Sequence, residues 1–159
     1  NRISLEPGEG LFLDAGNLHA YLHGVAVEIM ANSDNVLRGG LTPKHVDVPE
    51  LLRVLDFAPT EMPIRTPVGP HGGVREYETP ARAFRLARLD VSEAPVPVPA
   101  VGPSIFLCTV GAVELSSGTD VLKLRRGESA WVSAADPEVT VTSVGGNAQV
   151  FRAAVGTGR

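Results

Sequence analysis

From residue 104 to residue 155 the chain reads SIFLCTV (104–110), AVELSS (112–117), DVLKLRRG (120–127), SAWVSA (129–134), EVTVTSV (138–144) and AQVFRAAV (148–155). These are short runs rich in Val, Leu and Ala, each closed by small or turn-forming residues, and that pattern predicts an all-β sandwich or barrel rather than a helical bundle. The rest of the chain carries the same punctuation, with 17 Gly and 13 Pro among 159 residues. Hydrophobic residues make up 43% and charged residues 20%, ordinary values for a globular protein able to bury one substantial core or two small packed halves.

Working outward, residues 82–91 resume strand character ahead of a Pro-rich crossing at 94–103, and residues 58–79 read as an extended connector rich in Pro, Gly and charge. Upstream of it, VDVPELLRVL (46–55) holds the one clear helix signal. Asp47 caps, Pro49 suits the first turn, and Glu50 lies where a capping box puts its carboxylate. Val48, Leu51, Leu52 and Leu55 follow the spacing of one buried helical face. Before the helix, strands are expected at 2–5, 11–13 and 21–30. The last of these, YLHGVAVEIM, has Val25, Val27 and Ile29 in period-two alternation.

An internal repeat links the two ends of the chain. GEGLFLDAGNLH (8–19) aligns without gaps on GESAWVSAADPE (127–138), each copy being a Gly-Glu turn, a short apolar strand and a small-residue turn. Glu138 stands in the second copy where His19 stands in the first.

Composition excludes several function classes. A formal charge of −4 and the lack of a basic run leave no electrostatic footprint for nucleic acid. No apolar run approaches membrane-spanning length, and residues 1–10 lack the basic-then-apolar pattern of a secretory signal. The single cysteine, Cys108, lies in an apolar run and reads as a buried core thiol. It cannot make an internal disulfide, which fits a reducing cytoplasm. A chain that begins without Met and almost directly in a strand is what a processed product or an excised fragment would look like.

Chemistry-bearing groups concentrate in HAYLHGVAVEIMANSDNVLRGGLTPK (19–44). Glu28, in the middle of an apolar run, is either paired, exposed on the alternate face or functional. Arg38 and Lys44 flank Gly39-Gly40-Leu41-Thr42-Pro43. The glycines let the backbone approach a ligand closely, Arg offers a planar fork of donors and Lys a compact charge; a solvated basic loop is the plain alternative. Ser33, Asp34 and Asn35 read as loop-shaping residues. None of the four histidines, His19, His23, His45 and His71, forms an H-x-H or H-E-x-x-H pair.

From about residue 7 to residue 57, most densely through SDNVLRGGLTPK (33–44) and more faintly on to the C-terminus, the sequence resembles the type I phosphomannose isomerases, zinc enzymes of the cupin superfamily. The resemblance implies mainly β cupin-like jelly-roll barrels. A partial first cupin carries the active-site segment (1–57), then come a connector and crossing strand (58–103), and a degenerate second barrel without metal closes the chain (104–159). It implies His19 as a ligand of one zinc ion whose other ligands come from upstream sequence, Arg38 as stabiliser of an enediolate, and Glu28 and Lys44 as proton-transfer or substrate-binding groups.

The implied reaction interconverts mannose 6-phosphate and fructose 6-phosphate through a cis-enediol. The partners expected are a sugar phosphate and an N-terminal remainder of the enzyme, without which this chain is expected to be inactive. The competing reading is a non-enzymatic double-cupin module that binds a sugar phosphate or a protein. A cupin oxygenase using iron is disfavoured by the shortage of histidines.

Overall fold

A computed structural model describes all residues except Asp34, Thr60 and 157–159. Nine strands and one helix are seen among the described residues: α1 (Val48–Val54), β1 (Val74–Glu76), β2 (Phe84–Val91), β3 (Val96–Val98), β4 (Ser104–Val110), β5 (Ala112–Ser117), β6 (Asp120–Arg125), β7 (Ser129–Val132), β8 (Val139–Ser143) and β9 (Ala148–Val155). They form a five-stranded sheet in the order β1-β2-β9-β4-β7 and a four-stranded sheet in the order β3-β8-β5-β6, with every pairing antiparallel. The chain is therefore mainly β, a two-sheet sandwich of the jelly-roll kind, as the turn-punctuated runs predict.

Alternation explains the core. Leu89 and Val91 of β2, Phe106 and Cys108 of β4, and Ala148 and Val150 of β9 point inward from one sheet. Val113, Leu115, Leu124, Val139 and Val141 meet them from the other. Cys108 is fully buried and its thiol is pushed up by that burial, the behaviour of a small apolar core residue. Strands from residues 74–98 belong to the same two sheets. β2 runs its whole length against β9, from Phe84 opposite Val155 to Val91 opposite Ala148, and β3 extends the second sheet beside β8.

Gly111 makes the corner where the chain leaves β4 in one sheet and enters β5 in the other. Its φ is +70°, and a Cβ there would lie 2.6 Å from the Asn147 carbonyl oxygen. Both the left-handed backbone and the backbone neighbour resist a side chain. Gly111→Ala is expected to cost roughly 2–3 kcal/mol, read as a lower urea midpoint at unchanged slope. An unmoved midpoint would show that the corner can relax.

The first third of the chain departs from expectation. No strand forms at 2–5, 11–13 or 21–30, and its one ladder contact is the bridge between Gly10 and Arg65. A strand needs a partner to satisfy its backbone groups, and no described segment runs beside these residues. Val25 is wholly exposed and Leu22 is 72% exposed. The helix is present with Asp47 as its cap, the side chain accepting from the Glu50 backbone N–H at 3.0 Å. Its expected details change, however. Glu50 turns to Arg53 instead of closing a capping box, and of the expected apolar face only Leu51 is buried.

Residues 1–57 are tied to the sandwich at a few points. Gly10 exchanges two backbone hydrogen bonds with Arg65 (2.8 and 2.9 Å), and the Tyr77 hydroxyl donates to the Gly8 carbonyl at 2.9 Å. Asp56 N–H donates to the Gly16 carbonyl at 3.0 Å, joining the turn before His19 to the end of α1.

Candidate active-site segment

The internal repeat is real at its turns. Glu9 N–H donates to the Glu6 carbonyl at 2.9 Å while the Glu9 carboxylate accepts from Glu6 N–H at 2.8 Å. In the second copy Glu128 N–H donates to the Arg125 carbonyl at 2.9 Å, and the Glu128 carboxylate accepts from Arg125 N–H at 2.8 Å. Gly8 and Gly127 both take left-handed φ values, +95° and +88°. In the second copy this turn feeds β7. In the first it leads through 11–17 to His19.

At that point the imidazole is oriented by its own turn. His19 Nδ1 lies 3.0 Å from the Asn17 carbonyl oxygen. A carbonyl can only accept, so Nδ1 carries the proton and a neutral ring leaves its lone pair on Nε2, the arrangement that suits a metal ligand. The His19 ring packs edge-on to Tyr21, with centroids 6.1 Å apart, and the Tyr21 hydroxyl donates to Glu28 Oε1 at 2.9 Å. Partial desolvation, and then the Glu28 carboxylate, raise the Tyr21 phenol above its usual range. His19, Tyr21 and Glu28 thus form one chain of contacts.

The Arg38 loop meets this segment at Leu18. A Cβ built on Gly39 would lie 2.1 Å from Leu18 Cδ1, so the backbone beside Arg38 packs against the residue beside His19. Beyond it Gly40 has φ +131° and Leu41 φ +53°. A left-handed leucine that is 97% exposed is strained backbone without packing to account for it. Thr42 Oγ1 accepts from Lys44 N–H at 3.2 Å and closes the loop. Ser33 N–H donates to the Ala31 carbonyl at 2.8 Å in the turn before it, while Asp34 lies outside the described residues.

His19, Glu28, Arg38 and Lys44 are all exposed. None of them lines the two pockets found at Asn1–Ile3 with Glu61–Pro63 and at Val68–Arg152. Arg38 makes no hydrogen bond or ion pair among the described residues. His23, His45 and His71 are likewise exposed. No group of three or more His, Cys, Asp or Glu able to hold a metal is found among the described residues. His19 alone falls short of the three or four ligands that zinc takes from proteins, so these residues do not by themselves fit the ion. Two members of the cluster carried no individual signal in the sequence. Tyr21 reads as a β-former and Leu18 as a spacer, and only their contacts reveal them.

Known proteins resemble this segment and the sandwich together. A mannose-6-phosphate isomerase of Escherichia coli strain K12 is 40% identical over 153 residues, covering 95% of this chain and 39% of the relative. The likeness is to mannose-6-phosphate isomerases. Mannose-6-phosphate isomerase 2 of Arabidopsis thaliana is 39% identical over 98% of this chain and 35% of its own length. Among solved structures, an alanine variant at a histidine of phosphomannose isomerase from Salmonella typhimurium superposes with a TM-score of 0.67 and 31% identity, over 80% of this chain and 32% of that one. No family model matches the chain. The chain spans about two-fifths of the curated relatives it matches, and the likeness covers nearly all of it, including the stretch beyond residue 57 where the resemblance read from sequence is fainter.

Proposed function

We propose that this chain is the C-terminal portion of a mannose-6-phosphate isomerase. Residues 1–57 would complete a catalytic cupin, 58–103 would connect, and 104–159 would form a second barrel without metal that draws β1–β3 into its sheets. The observation that carries this reading is the packing of Leu18 on Gly39, which sets the His19 turn beside the Arg38 loop.

Aldose–ketose isomerisation removes a proton from C2 of the open-chain aldose and returns one to C1, with an OH proton moving from O2 to O1. The intermediate is a cis-enediol, and negative charge gathers on oxygen on the way to it. Three of this chain's groups match three needs. A carboxylate is a base at neutral pH where an ammonium is not, so Glu28, held by the Tyr21 hydroxyl, carries the proton. Arg38 supplies fixed donors to the oxygen that gains charge. Lys44, a compact cation at the exit of the loop, takes the phosphate. His19, with Nε2 free, would serve as one ligand of a zinc ion only if further ligands come from outside these residues.

The apolar residues exposed between 18 and 57 support the partner this requires. Leu18, Tyr21, Leu22, Val25, Met30, Leu41, Leu52 and Phe57 are all more than half exposed, and that much uncovered apolar side chain in one segment is what packing against further protein would bury. Exposure of the four candidate residues also favours one alternative, a module that binds sugar phosphate without turning it over. The deciding measurement compares fructose 6-phosphate formation by this chain alone with that by the chain joined to the N-terminal remainder. Turnover only in the joined form is expected. Equal turnover by the chain alone would overturn the need for a partner. Saturable mannose 6-phosphate binding to the metal-free chain, with no turnover in either form, would establish the module instead.

A further inference from the structure

The second barrel holds a pocket that none of this chemistry uses. It has a volume of about 440 Å³ and is lined by Arg152, Arg85, Glu76, Val74, Pro99 and Val101 among others. Arg152 lies on the inward face of β9, only 5% exposed. Its Nε donates to Ser104 Oγ at 3.1 Å, and its guanidinium carbon stands 5.7 Å from the centre of the Phe106 ring. Its two terminal nitrogens have no hydrogen-bond or ion-pair partner among the described residues. Glu76, the carboxylate that shares the pocket, is committed to an ion pair with Arg85. Glu78, the other acid of the lining, is exposed at the rim, where its backbone carbonyl accepts from Arg65.

A guanidinium held inside a pocket with no ion-pair partner within salt-bridge distance is costly, because burial removes solvation that one hydrogen bond to Ser104 and the more distant Glu76 only partly replace. Burial first, and the neighbouring Arg85 second, push Arg152 below the usual range of an arginine, with Glu76 partly opposing them. We propose that this pocket binds a small organic carboxylate. Its charged end would take the two free amino groups of Arg152 in the fork geometry that guanidinium offers a carboxylate. Its apolar body would lie against Val74, Pro99 and Val101.

Charge balance favours a monoanion. The Arg85–Glu76 pair is neutral as a unit, and of the two charges that remain in the lining Arg152 is buried while Glu78 lies exposed at the rim, so the inner part of the pocket carries the positive charge. A phosphate dianion would bring an excess negative charge close to Glu76 and Glu78. The proposal concerns the barrel of 74–155 and stands whether or not the isomerase reading does.

Butyrate and benzoate serve as probes, titrated at constant ionic strength against the ¹⁵N signals of arginine side chains, with inorganic phosphate and chloride as the other anions. Saturable binding of either carboxylate that moves the Arg152 Nε signal is expected. Arg152→Met should weaken it tenfold or more, as loss of a charge-assisted hydrogen-bonded pair implies. Should Arg152→Met fail to fold, Glu76→Gln provides the second reading. It removes a negative charge and frees Arg85, so carboxylate affinity should rise several-fold. The proposal is overturned by any of three results: no saturable carboxylate binding, phosphate binding as tightly as the carboxylates, or affinity unmoved in whichever variant folds.

Discussion

If the proposed isomerase reading holds, Arg38→Ala in the chain joined to its N-terminal remainder is expected to lower kcat/KM for mannose 6-phosphate by about 10²–10³-fold, the range seen when one fixed donor to a developing oxyanion is removed. Part of the loss should fall on kcat, because in the proposed role the guanidinium would act where charge appears during reaction and not only on bound sugar. The side chain is exposed and makes no hydrogen bond among the described residues, so its removal leaves folding stability within about 0.5 kcal/mol. That combination separates chemistry from structure. Steady-state kinetics beside a denaturant titration make the test, and a variant that keeps activity to within threefold would remove Arg38 from the mechanism. Gly39 sharpens the argument. Alanine at that position presses only on the movable end of Leu18, so a small change beside Arg38 should be accommodated where loss of Arg38 should not.

The largest stability effect belongs to Phe106→Ala. Phe106 is 1% exposed on the inward face of β4, opposite Ala130 of β7 and Arg152 of β9. Truncation removes a buried ring and leaves a cavity that two antiparallel neighbours cannot close, at a cost of about 3–5 kcal/mol. The ring is also the face on which the Arg152 guanidinium rests, which adds to the loss. Against a typical total of about 5–15 kcal/mol, the melting temperature should fall by roughly 10–20 °C. Calorimetry of the chain and its variant measures this. A loss under about 1 kcal/mol would mean that the sandwich core is not where the stability lies.

Legibility was uneven along the chain, and the reason is physical. From 104 to 155 every run that alternates in the sequence is a strand, because each has a neighbour on at least one side and an apolar face to bury. Residues 82–91 behave the same way, β2 finding its partner in β9. YLHGVAVEIM (21–30) alternates as well as any of them, yet it is no strand in the structure. Alternation reports which face could be buried, and pairing decides whether a strand exists. For the candidate site, the resemblance to phosphomannose isomerases through residues 7–57 singled out His19, Glu28, Arg38 and Lys44, where residue type and spacing alone left a plain alternative for each. Neither type nor spacing could reveal that Tyr21 bridges His19 and Glu28, since that contact spans seven residues of irregular backbone.

The two copies of the repeat separate the contributions of sequence and tertiary structure. Sequence by itself determined the turns: a glycine free to take left-handed φ and a glutamate that folds back on the residue three before it produce the same hydrogen bonds at Glu6–Glu9 and at Arg125–Glu128. These interactions close within four residues and need nothing from elsewhere in the chain. Tertiary structure alone decided the conformation of the residues after each turn. Ser129–Val132 becomes β7 because β4 lies alongside to take its backbone hydrogen bonds, whereas residues 11–13 meet no such neighbour and stay irregular. The buried, unpaired Arg152 is of the second kind too, since its isolation comes from Glu76 having paired with Arg85 across the sheet.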